Sequence, residues 1–304
     1  MTYSKYGSND VLELTEQPLP KVGPGEVRIR VTHASVNPVD WKVMSGGLDQ
    51  LMDASFPVVP GWDAAGLVDA VGPDVPEFGT GDRVATYARK QVVSGGTFAE
   101  YVTVFATDVA AIPAGVDDDV AASLPLTGLT ALRSVEALDL AAGDRLLVHG
   151  ASGGVGSLAV QLAVAAGAEV VGTASERNHS KLAALGATPV AYGQGLEDRL
   201  RAVVPGGFDA VADFAGGVLD TTLAVLKDGG RHVSIADPAV TEHAGRWLWV
   251  RPDGPRLTRL LHLVAEGRLT VDIDRTFDLA DLAEAFALSQ QGAARGKLVL
   301  RIAG

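Results

Sequence analysis

The first third of the chain alternates apolar and polar residues over short stretches. The clearest case is residues 27–31, where every second side chain is apolar, the period of a strand with one buried face. Proline and glycine interrupt this region at short intervals between Pro18 and Gly81. Short strands between closely spaced turns predict a small barrel or a folded sheet.

In the middle third, short apolar runs alternate with segments of helical composition. The predicted strands are residues 145–149, 169–173, 209–213 and 232–235, and the predicted helices are residues 154–166 and 180–185. Strands that alternate with helices in this way predict parallel βαβ units.

The last part of the chain returns to mixed structure. The pattern predicts amphipathic helices over residues 257–265 and 281–288 and a final strand over residues 297–301. The sequence shows no internal repeat, low-complexity run or long linker. We therefore expect an α/β domain inserted between an N-terminal β-rich region and a C-terminal tail.

Composition narrows the classes of function. The chain has 304 residues, which allows two domains of ordinary size. It has no cysteine, which excludes disulfides, cysteine-ligated zinc, iron–sulfur clusters and a thiol nucleophile. The net charge of -12 argues against nucleic acid and anionic membranes as partners. Because we find no signal peptide and no apolar run long enough to span a bilayer, we expect a soluble cytoplasmic protein.

A glycine-rich stretch, residues 150–156, lies between a predicted strand and a predicted helix. A pyrophosphate binds backbone N–H groups at a helix N-terminus and needs the approach to be clear of side chains. Glycines allow the tight turn and the close approach. With a second strand at residue 169, this context favours a dinucleotide site over an unliganded strand-to-helix turn.

The end of the second strand bears on the choice of dinucleotide. If Glu176 occupies the strand tip, its carboxylate favours the ribose hydroxyls of NAD. If Ser175 occupies the tip, Arg177 beside it favours the 2′-phosphate of NADP, because a guanidinium matches phosphate oxygens. Spacing alone leaves both possibilities open. A third possibility is that Arg177 is a solvated loop charge with no role in binding.

Several motifs together point to a known family. Residues 143–156 (GDRLLVHGASGGVG), with Gln161 further on, resemble the signature of quinone oxidoreductases of the medium-chain dehydrogenase/reductase superfamily. The match departs from the family pattern at Val164. Other family landmarks occur in family order at residues 24–27, 35–40, 61–66, 81–84, 96–101, 126–131 and 296–300. The resemblance covers nearly the whole chain.

This resemblance implies an α/β fold with two domains. We expect a GroES-like, β-rich substrate and catalytic domain over residues 1–118, completed by residues 250–304. A doubly wound Rossmann domain that binds NADP is expected over residues 119–249. The family is commonly dimeric, so a homodimer is expected as well.

The resemblance also bears on metals. Zinc-dependent relatives carry a catalytic cysteine where this chain has Asn37, and a His-Glu pair where it has Trp62 and Asp63. They also carry a four-cysteine structural loop that nothing here replaces. We therefore expect no metal site and no metal acting as a Lewis acid on a carbonyl.

For the cofactor, the resemblance implies NADPH, with a small residue, Ser175, at the strand tip and Glu176 pointing away. Tyr192 joins the expected 2′-phosphate contacts, although a strand-end core aromatic is an equal alternative. The full expected cofactor site comprises Ala151, Ser152, Gly153, Gly154, Val155, Gly156, Ser175, Arg177, Tyr192 and Ala215.

Three residues are catalytic candidates: Asn37, Lys42 and Thr127. Asn37 is expected to hold the nicotinamide ribose or a substrate oxygen. The resemblance implies that Thr127 lies beside the nicotinamide, with a helix-capping hydroxyl as the alternative. Lys42 is a candidate donor to the oxyanion that forms on the substrate, with an exposed surface lysine as its alternative.

The expected activity is NADPH-dependent, metal-independent hydride transfer to conjugated carbonyls, either quinones or α,β-unsaturated ketones and aldehydes. Residues 37–42 resemble those of enone and alkenal reductases, and Lys42 favours enones over quinones. The alternatives are an enoyl-thioester reductase of polyketide-type synthesis and an NADPH-binding redox sensor without turnover.

Overall fold

The alternating residues of the first third form a long strand. In the computed structural model, which describes residues 1–302, they belong to an eleven-residue strand over Glu26–Val36. Val27, Ile29 and Val31 are fully buried, whereas Arg28 and Arg30 are partly exposed. The predicted half-buried strand is confirmed, and its apolar face forms part of the core.

Strands and helices are distributed along the chain much as the patterns predict. In chain order, the strands are β1 (Glu26–Val36), β2 (Ala54–Val59), β3 (Asp63–Val71), β4 (Arg83–Tyr87), β5 (Val93–Gly95), β6 (Tyr101–Phe105), β7 (Val109–Ala111), β8 (Arg145–His149), β9 (Glu169–Ala174), β10 (Thr188–Ala191), β11 (Phe208–Asp213), β12 (Leu226–Ser234), β13 (Arg246–Trp247), β14 (Ile273–Asp278) and β15 (Lys297–Arg301). The helices are α1 (Pro38–Met44), α2 (Asp118–Ser123), α3 (Pro125–Leu138), α4 (Gly154–Ala165), α5 (His179–Ala184), α6 (Leu196–Val203), α7 (Leu219–Val225), α8 (Gly254–Ala265) and α9 (Leu282–Gln290).

The chain divides into two compact units. The first holds Met1–Leu129 and the segment from Arg251 onward, and the second holds Thr130–Val250. The first boundary lies within α3, later than the expected position at residue 118. The reason is that α2 packs against β1 and β3, so this stretch belongs with the β-rich unit.

A seven-stranded, mostly antiparallel sheet dominates the first unit. Its order is β14-β15-β1-β3-β4-β7, and β6 also pairs with β1. One edge of β1 pairs with β3, while β6 and β15 pair with its start and its end along the other edge. In that register Val36 lies opposite Leu298, so the start of β15 meets the residue that follows β1.

A six-stranded sheet of order β10-β9-β8-β11-β12-β13 forms the second unit, and all its pairings are parallel. The chain runs outward from β8 to β10, then returns to β11 on the other side of β8 and continues to β13. This reversal makes a topological switch point between β8 and β11 at the carboxyl ends of the strands. The doubly wound fold is therefore confirmed.

Some elements had no prediction. The helices α1, α2, α3, α6 and α7 were not predicted. Four of them have eight residues or fewer, and the longer α3 contains Gly128 and two threonines, which lower helix propensity. Within residues 1–302, no helix combines the length and apolar character that a membrane span requires.

Candidate active site

The glycine-rich turn follows β8 directly. Gly150 has a φ of +70°, and its carbonyl accepts a hydrogen bond from the Gly153 N–H at 3.1 Å. A Cβ at Gly156 would lie 2.2 Å from the Gly150 oxygen and 2.7 Å from the Ala151 Cα. Only glycine at position 156 therefore allows the first turn of α4 to close against the strand.

The structure brings the predicted glycine-loop residues together at the N-terminus of α4. Gly153 is the N-cap residue, and both Gly153 and Gly154 are exposed. Exposed backbone N–H groups at the start of a twelve-residue helix, with no side chains over them, suit a pyrophosphate. The turn therefore fits a dinucleotide. The residues that form it are Ala151, Ser152, Gly153, Gly154, Val155 and Gly156.

The other predicted cofactor residues follow neighbouring strands of the same sheet. Ser175 follows β9, Tyr192 follows β10, and Ala215 comes shortly after β11. Because these strands are parallel, their carboxyl ends lie along one edge of the sheet. The Asp213 carboxylate shapes the last of these turns, because its Oδ1 accepts hydrogen bonds from the N–H groups of Ala215 (2.8 Å) and Gly216 (2.9 Å).

Asn178 joins two of these turns and was missed by the sequence interpretation. Its Nδ2 donates hydrogen bonds to the hydroxyls of Ser152 and Ser175, both at 3.2 Å. No motif marks this residue, because the contact depends on the fold of the loop after β9. Asn178 therefore fixes the Ser175 hydroxyl relative to the glycine turn.

Arg177 and Tyr192 both face solvent. Tyr192 is 64% exposed, so the alternative of a strand-end core aromatic does not apply. Arg177 is exposed and makes no hydrogen bond or ion pair with residues 1–302. Glu176 is exposed as well, so exposure alone does not show whether Ser175 or Glu176 occupies the strand tip.

In the first unit, Asn37 is the centre of a buried polar cluster. It caps α1 and is 1% exposed. Its Oδ1 accepts a hydrogen bond from the Lys297 Nζ at 2.6 Å, and its Nδ2 donates to the Asp63 Oδ2 at 2.9 Å. The Asn37 backbone N–H donates to the Asp40 Oδ2 at 2.7 Å. The amide is therefore held on both sides by charged side chains.

Asp63 and Lys297 are further fixed by the backbone. The Asp63 Oδ1 accepts a hydrogen bond from the Leu126 N–H at 2.9 Å, and the Ser35 hydroxyl donates to its Oδ2 at 3.3 Å. The Lys297 Nζ also donates to the Val36 carbonyl at 3.2 Å. The cluster thus ties together the end of β1, the start of β3, the start of α3 and the start of β15.

Burial dominates the electrostatics of this cluster. It raises the pKa of Asp40 to about 8 and that of Asp63 to about 6, while the Lys297 ammonium opposes both shifts. Burial also lowers the pKa of Lys297, and the two carboxyl groups act against that change. One buried cation therefore faces two carboxyl groups, and at neutral pH Asp40 keeps a proton that an exposed carboxyl would release.

The other two catalytic candidates contact residues outside this cluster. Lys42 is exposed, and its Nζ lies 5.6 Å from the centroid of the Trp41 ring. Thr127 is buried in the first turn of α3, where its hydroxyl donates to the Ser123 carbonyl at 2.9 Å. That hydroxyl proton is therefore engaged, and only the oxygen lone pairs remain for another group.

Comparison with known proteins decides the family. The sequence profile of the alcohol dehydrogenase GroES-like domain matches residues 23–114, and that of the zinc-binding dehydrogenase domain matches residues 185–300. The chain is 34% identical to the NADPH-dependent alkenal/one oxidoreductase, chloroplastic, of Arabidopsis thaliana, over 98% of this chain and 78% of that protein. The chain belongs to the medium-chain dehydrogenase/reductase superfamily.

Two further similarities place it within the superfamily. It is 32% identical to the chloroplast envelope quinone oxidoreductase homolog of Arabidopsis thaliana, over 99% of this chain and 97% of that protein. It also superposes on the quinone oxidoreductase of Coxiella burnetii with a TM-score of 0.90 and 33% identity, over 99% of this chain and 98% of that one. The GroES-like and Rossmann assignments are confirmed.

Asn37 and Asp63 of this cluster are two of the positions that the sequence resemblance compared with the metal ligands of zinc-dependent relatives. The sequence motifs indicated Asn37, Trp62 and Asp63, but not the contact with Lys297. Within residues 1–302, no group of three or more His, Cys, Asp or Glu side chains is placed to hold a metal ion. The Lys297 ammonium places a positive charge against the Asn37 amide.

Replacing Asp40 by Asn should flatten the dependence of stability on pH. Since the pKa of Asp40 is raised to about 8 in the fold, the native state keeps a proton that the unfolded chain releases near pH 4, so stability falls as pH rises between these values. Between pH 6 and pH 8, the titration of Asp40 lowers the free energy of unfolding by about 2 kcal/mol. The Asn variant keeps an oxygen to accept from the Asn37 N–H.

Urea unfolding at pH 6 and pH 8 measures this effect. The control is Asp53→Asn, which changes an exposed carboxyl of the same unit. We expect the wild type and the control to lose stability together and the Asp40 variant to lose clearly less. Equal losses in all three proteins would show that Asp40 is ionised in the native state at both pH values.

Proposed function

We propose that the protein is an NADPH-dependent reductase of conjugated carbonyl compounds, either quinones or α,β-unsaturated ketones and aldehydes. The observation that carries the proposal is the dinucleotide-type glycine turn at the sheet switch point, in a chain similar along its length to alkenal/one and quinone oxidoreductases. When bound, a reduced nicotinamide cofactor supplies a hydride, and the protein binds, orients and supplies charge.

The chain's own residues support metal-independent chemistry. Asn37, Trp62 and Asp63 stand where zinc-dependent relatives carry ligands, and the indole of Trp62 has no lone pair to offer a metal. The Asn37 Oδ1 already accepts from an ammonium group at 2.6 Å. A second cation in this cluster would be repelled by Lys297 at short range. We therefore propose that the substrate is activated by its own conjugation.

In this proposal, the residues divide their roles as follows. The glycine turn holds the pyrophosphate, and Ser175, Arg177 and Tyr192 hold the 2′-phosphate, with Asn178 orienting Ser175. Asn37 is a rigid amide whose donors and acceptor are engaged within the cluster, so its role is to fix the end of β1. Lys42 is exposed, and its ammonium N–H groups are the proposed donors to a substrate oxyanion.

A homodimer and a cytoplasmic location complete the proposal. The support for the dimer is the edge strand β13, beside which the exposed Trp247 and Trp249 rings lie 6.2 Å apart. Such an open, aromatic sheet edge suits pairing with a second copy.

Light scattering after gel filtration tests the dimer. Cell fractionation tests the location, since similar proteins are named for chloroplasts and mitochondria.

The activity is tested by NADPH oxidation, followed at 340 nm, with a panel of quinones, enones and enoyl thioesters. We expect turnover with at least one quinone or enone and no dependence on added zinc or on a chelator. Turnover of enoyl thioesters alone would favour polyketide-type enoyl reduction. Tight NADPH binding with no oxidation of any panel member would contradict the reductase proposal and favour a redox sensor.

Replacing Arg177 by Ala should reduce the preference for NADPH. A charge-assisted hydrogen bond to a phosphate contributes about 1.5–3 kcal/mol, so we expect the KM or Kd for NADPH to rise about tenfold to hundredfold while that for NADH changes little. Fluorescence titration with both cofactors measures the shift. The control is Arg201→Ala, which removes an exposed guanidinium on α6.

Two results would contradict this assignment of Arg177. One is an equal loss of affinity for NADPH and NADH, which would indicate a general role in dinucleotide binding. The other is no loss for either, which would make Arg177 a solvated loop charge and leave Ser175 and Tyr192 as the phosphate contacts.

A further inference from the structure

Four buried polar side chains form a row at the carboxyl edge of the parallel sheet. They are Thr173 of β9, His149 of β8, Asp213 of β11 and Ser234 of β12, and each is at most 4% exposed. Asp213 lies opposite both His149 and Ser234 in the strand register, and the Thr173 hydroxyl lies 3.5 Å from the His149 Nδ1. This polar row therefore crosses the switch point between β8 and β11.

Three members of the polar row hold the turns that follow the strands. The Thr173 hydroxyl accepts a hydrogen bond from the Gly150 N–H of the glycine turn at 3.2 Å. The Asp213 Oδ1 accepts from two N–H groups of the turn after β11. The Ser234 hydroxyl accepts from the N–H groups two and three residues later, in the turn after β12, at 3.1 Å and 2.9 Å. Each turn is therefore fixed by a side chain that is itself buried.

Asp213 and Ser234 join two of these turns to each other. The Ser234 hydroxyl donates to the Asp213 Oδ2 at 2.8 Å, while the other Asp213 oxygen holds the turn after β11. The turns also touch, because a Cβ at Gly216 would lie only 3.2 Å from the Ala236 Cβ. A shift of either turn would therefore disturb the hydrogen bonds and the packing of the other.

Burial makes this arrangement depend on complete pairing. Loss of the Ser234 hydroxyl would leave two turn N–H groups and the Asp213 Oδ2 without the partner they have now. Burial also lowers the pKa of His149 to about 4, so at pH 7 this ring is neutral and supplies no charge to balance Asp213. The Asp213 carboxyl therefore depends on the N–H and O–H donors of the two turns.

The two joined turns belong to the second half of the doubly wound sheet. Strands β8, β9 and β10 form the first half, and β11, β12 and β13 form the second. In such a fold each half binds one mononucleotide of a dinucleotide. The proposed function assigns the pyrophosphate and the 2′-phosphate to the first half, so the nicotinamide mononucleotide belongs to the second.

We propose that Asp213 and Ser234 are positioning residues for the nicotinamide half of the bound dinucleotide. They hold the turns after β11 and β12 in place and, being buried, act through these turns. That the dinucleotide is a nicotinamide cofactor rests on the proposed function. The adenosine half, bound by the first half of the sheet, is independent of the two residues.

Equilibrium binding separates positioning from a merely structural role. The variants are Asp213→Asn, which replaces one acceptor oxygen by a donor, and Ser234→Ala, with Ser234→Thr as the conservative variant that keeps the hydroxyl. The control is Ser134→Ala, which removes another fully buried hydroxyl of the same unit, one that donates to the Thr130 carbonyl within α3. Calorimetric titration with NADPH, NADH and 2′,5′-ADP measures affinity, and circular dichroism with thermal melts checks folding.

We expect Asp213→Asn and Ser234→Ala each to weaken NADPH binding about tenfold, since each removes buried hydrogen bonds that fix the turns. The affinity for NADH should fall by the same factor, because both cofactors share the nicotinamide half. Binding of 2′,5′-ADP, which lacks that half, should stay as in the wild type. Ser234→Thr should recover most of the NADPH affinity, and Ser134→Ala should bind all three ligands like the wild type.

Three results would overturn the proposal. The first is unchanged NADPH affinity in folded Asp213→Asn and Ser234→Ala, which would leave the polar row a purely structural feature. The second is a loss of 2′,5′-ADP affinity as large as the loss for NADPH, which would indicate damage to the whole site. The third is a wild type that binds neither NADPH nor NADH.

The positioning proposal and the reductase proposal fail in different ways. If the variants lose NADPH affinity as expected but the wild type oxidises NADPH with no quinone, enone or enoyl thioester, the positioning roles stand and the reductase proposal is wrong. If the wild type reduces enones and both variants bind NADPH like Ser134→Ala, the reductase proposal stands and the positioning roles are wrong. Should Asp213→Asn be unfolded, Ser234→Ala and Ser234→Thr carry the test.

Discussion

The hydrogen bond between the Lys297 ammonium and the Asn37 amide organises the first unit. It joins side chains 260 residues apart in the chain at a distance of 2.6 Å. A fully buried ammonium is unfavourable unless it is paired and hydrogen-bonded. Lys297 therefore needs β15 to lie in register beside β1, and it needs Asp63 nearby to balance its charge. The same contact fixes Asn37 at the start of α1.

In the second unit, the candidate site is formed by the topology of the parallel sheet. No buried charge pair is needed there, because parallel strands bring their carboxyl ends to one edge of the sheet. The glycine turn closes only because Gly156 has no Cβ to strike the Gly150 oxygen. Asn178 then ties the turn after β9 to the turn after β8. The second unit thus exposes backbone N–H groups at the start of α4, and the first unit holds a buried cluster of polar and charged side chains.

The sequence predicted those parts of the structure that local patterns determine. The alternation of apolar and polar residues predicted β1. A strand, a run of glycines and an alanine-rich helix in succession predicted the glycine turn. Both patterns depend only on neighbouring residues. The pairing of Lys297 with Asn37 depends on strand register across the whole chain, and no local pattern reveals it. Lys42 was named as an oxyanion donor because it belongs to a family motif, and its exposure in the fold is consistent with that interpretation.

Lys297 is the cation that balances the Asp63 carboxylate inside the first unit. A double-mutant cycle with Lys297→Met and Asp63→Asn, measured by urea unfolding at pH 8, tests it most directly. We expect Lys297→Met alone to lower the free energy of unfolding by about 3–5 kcal/mol, because it leaves a buried carboxylate unpaired. Adding Asp63→Asn should restore part of that loss. Additive losses, or a Lys297→Met variant as stable as the wild type, would show that Lys297 does not balance Asp63.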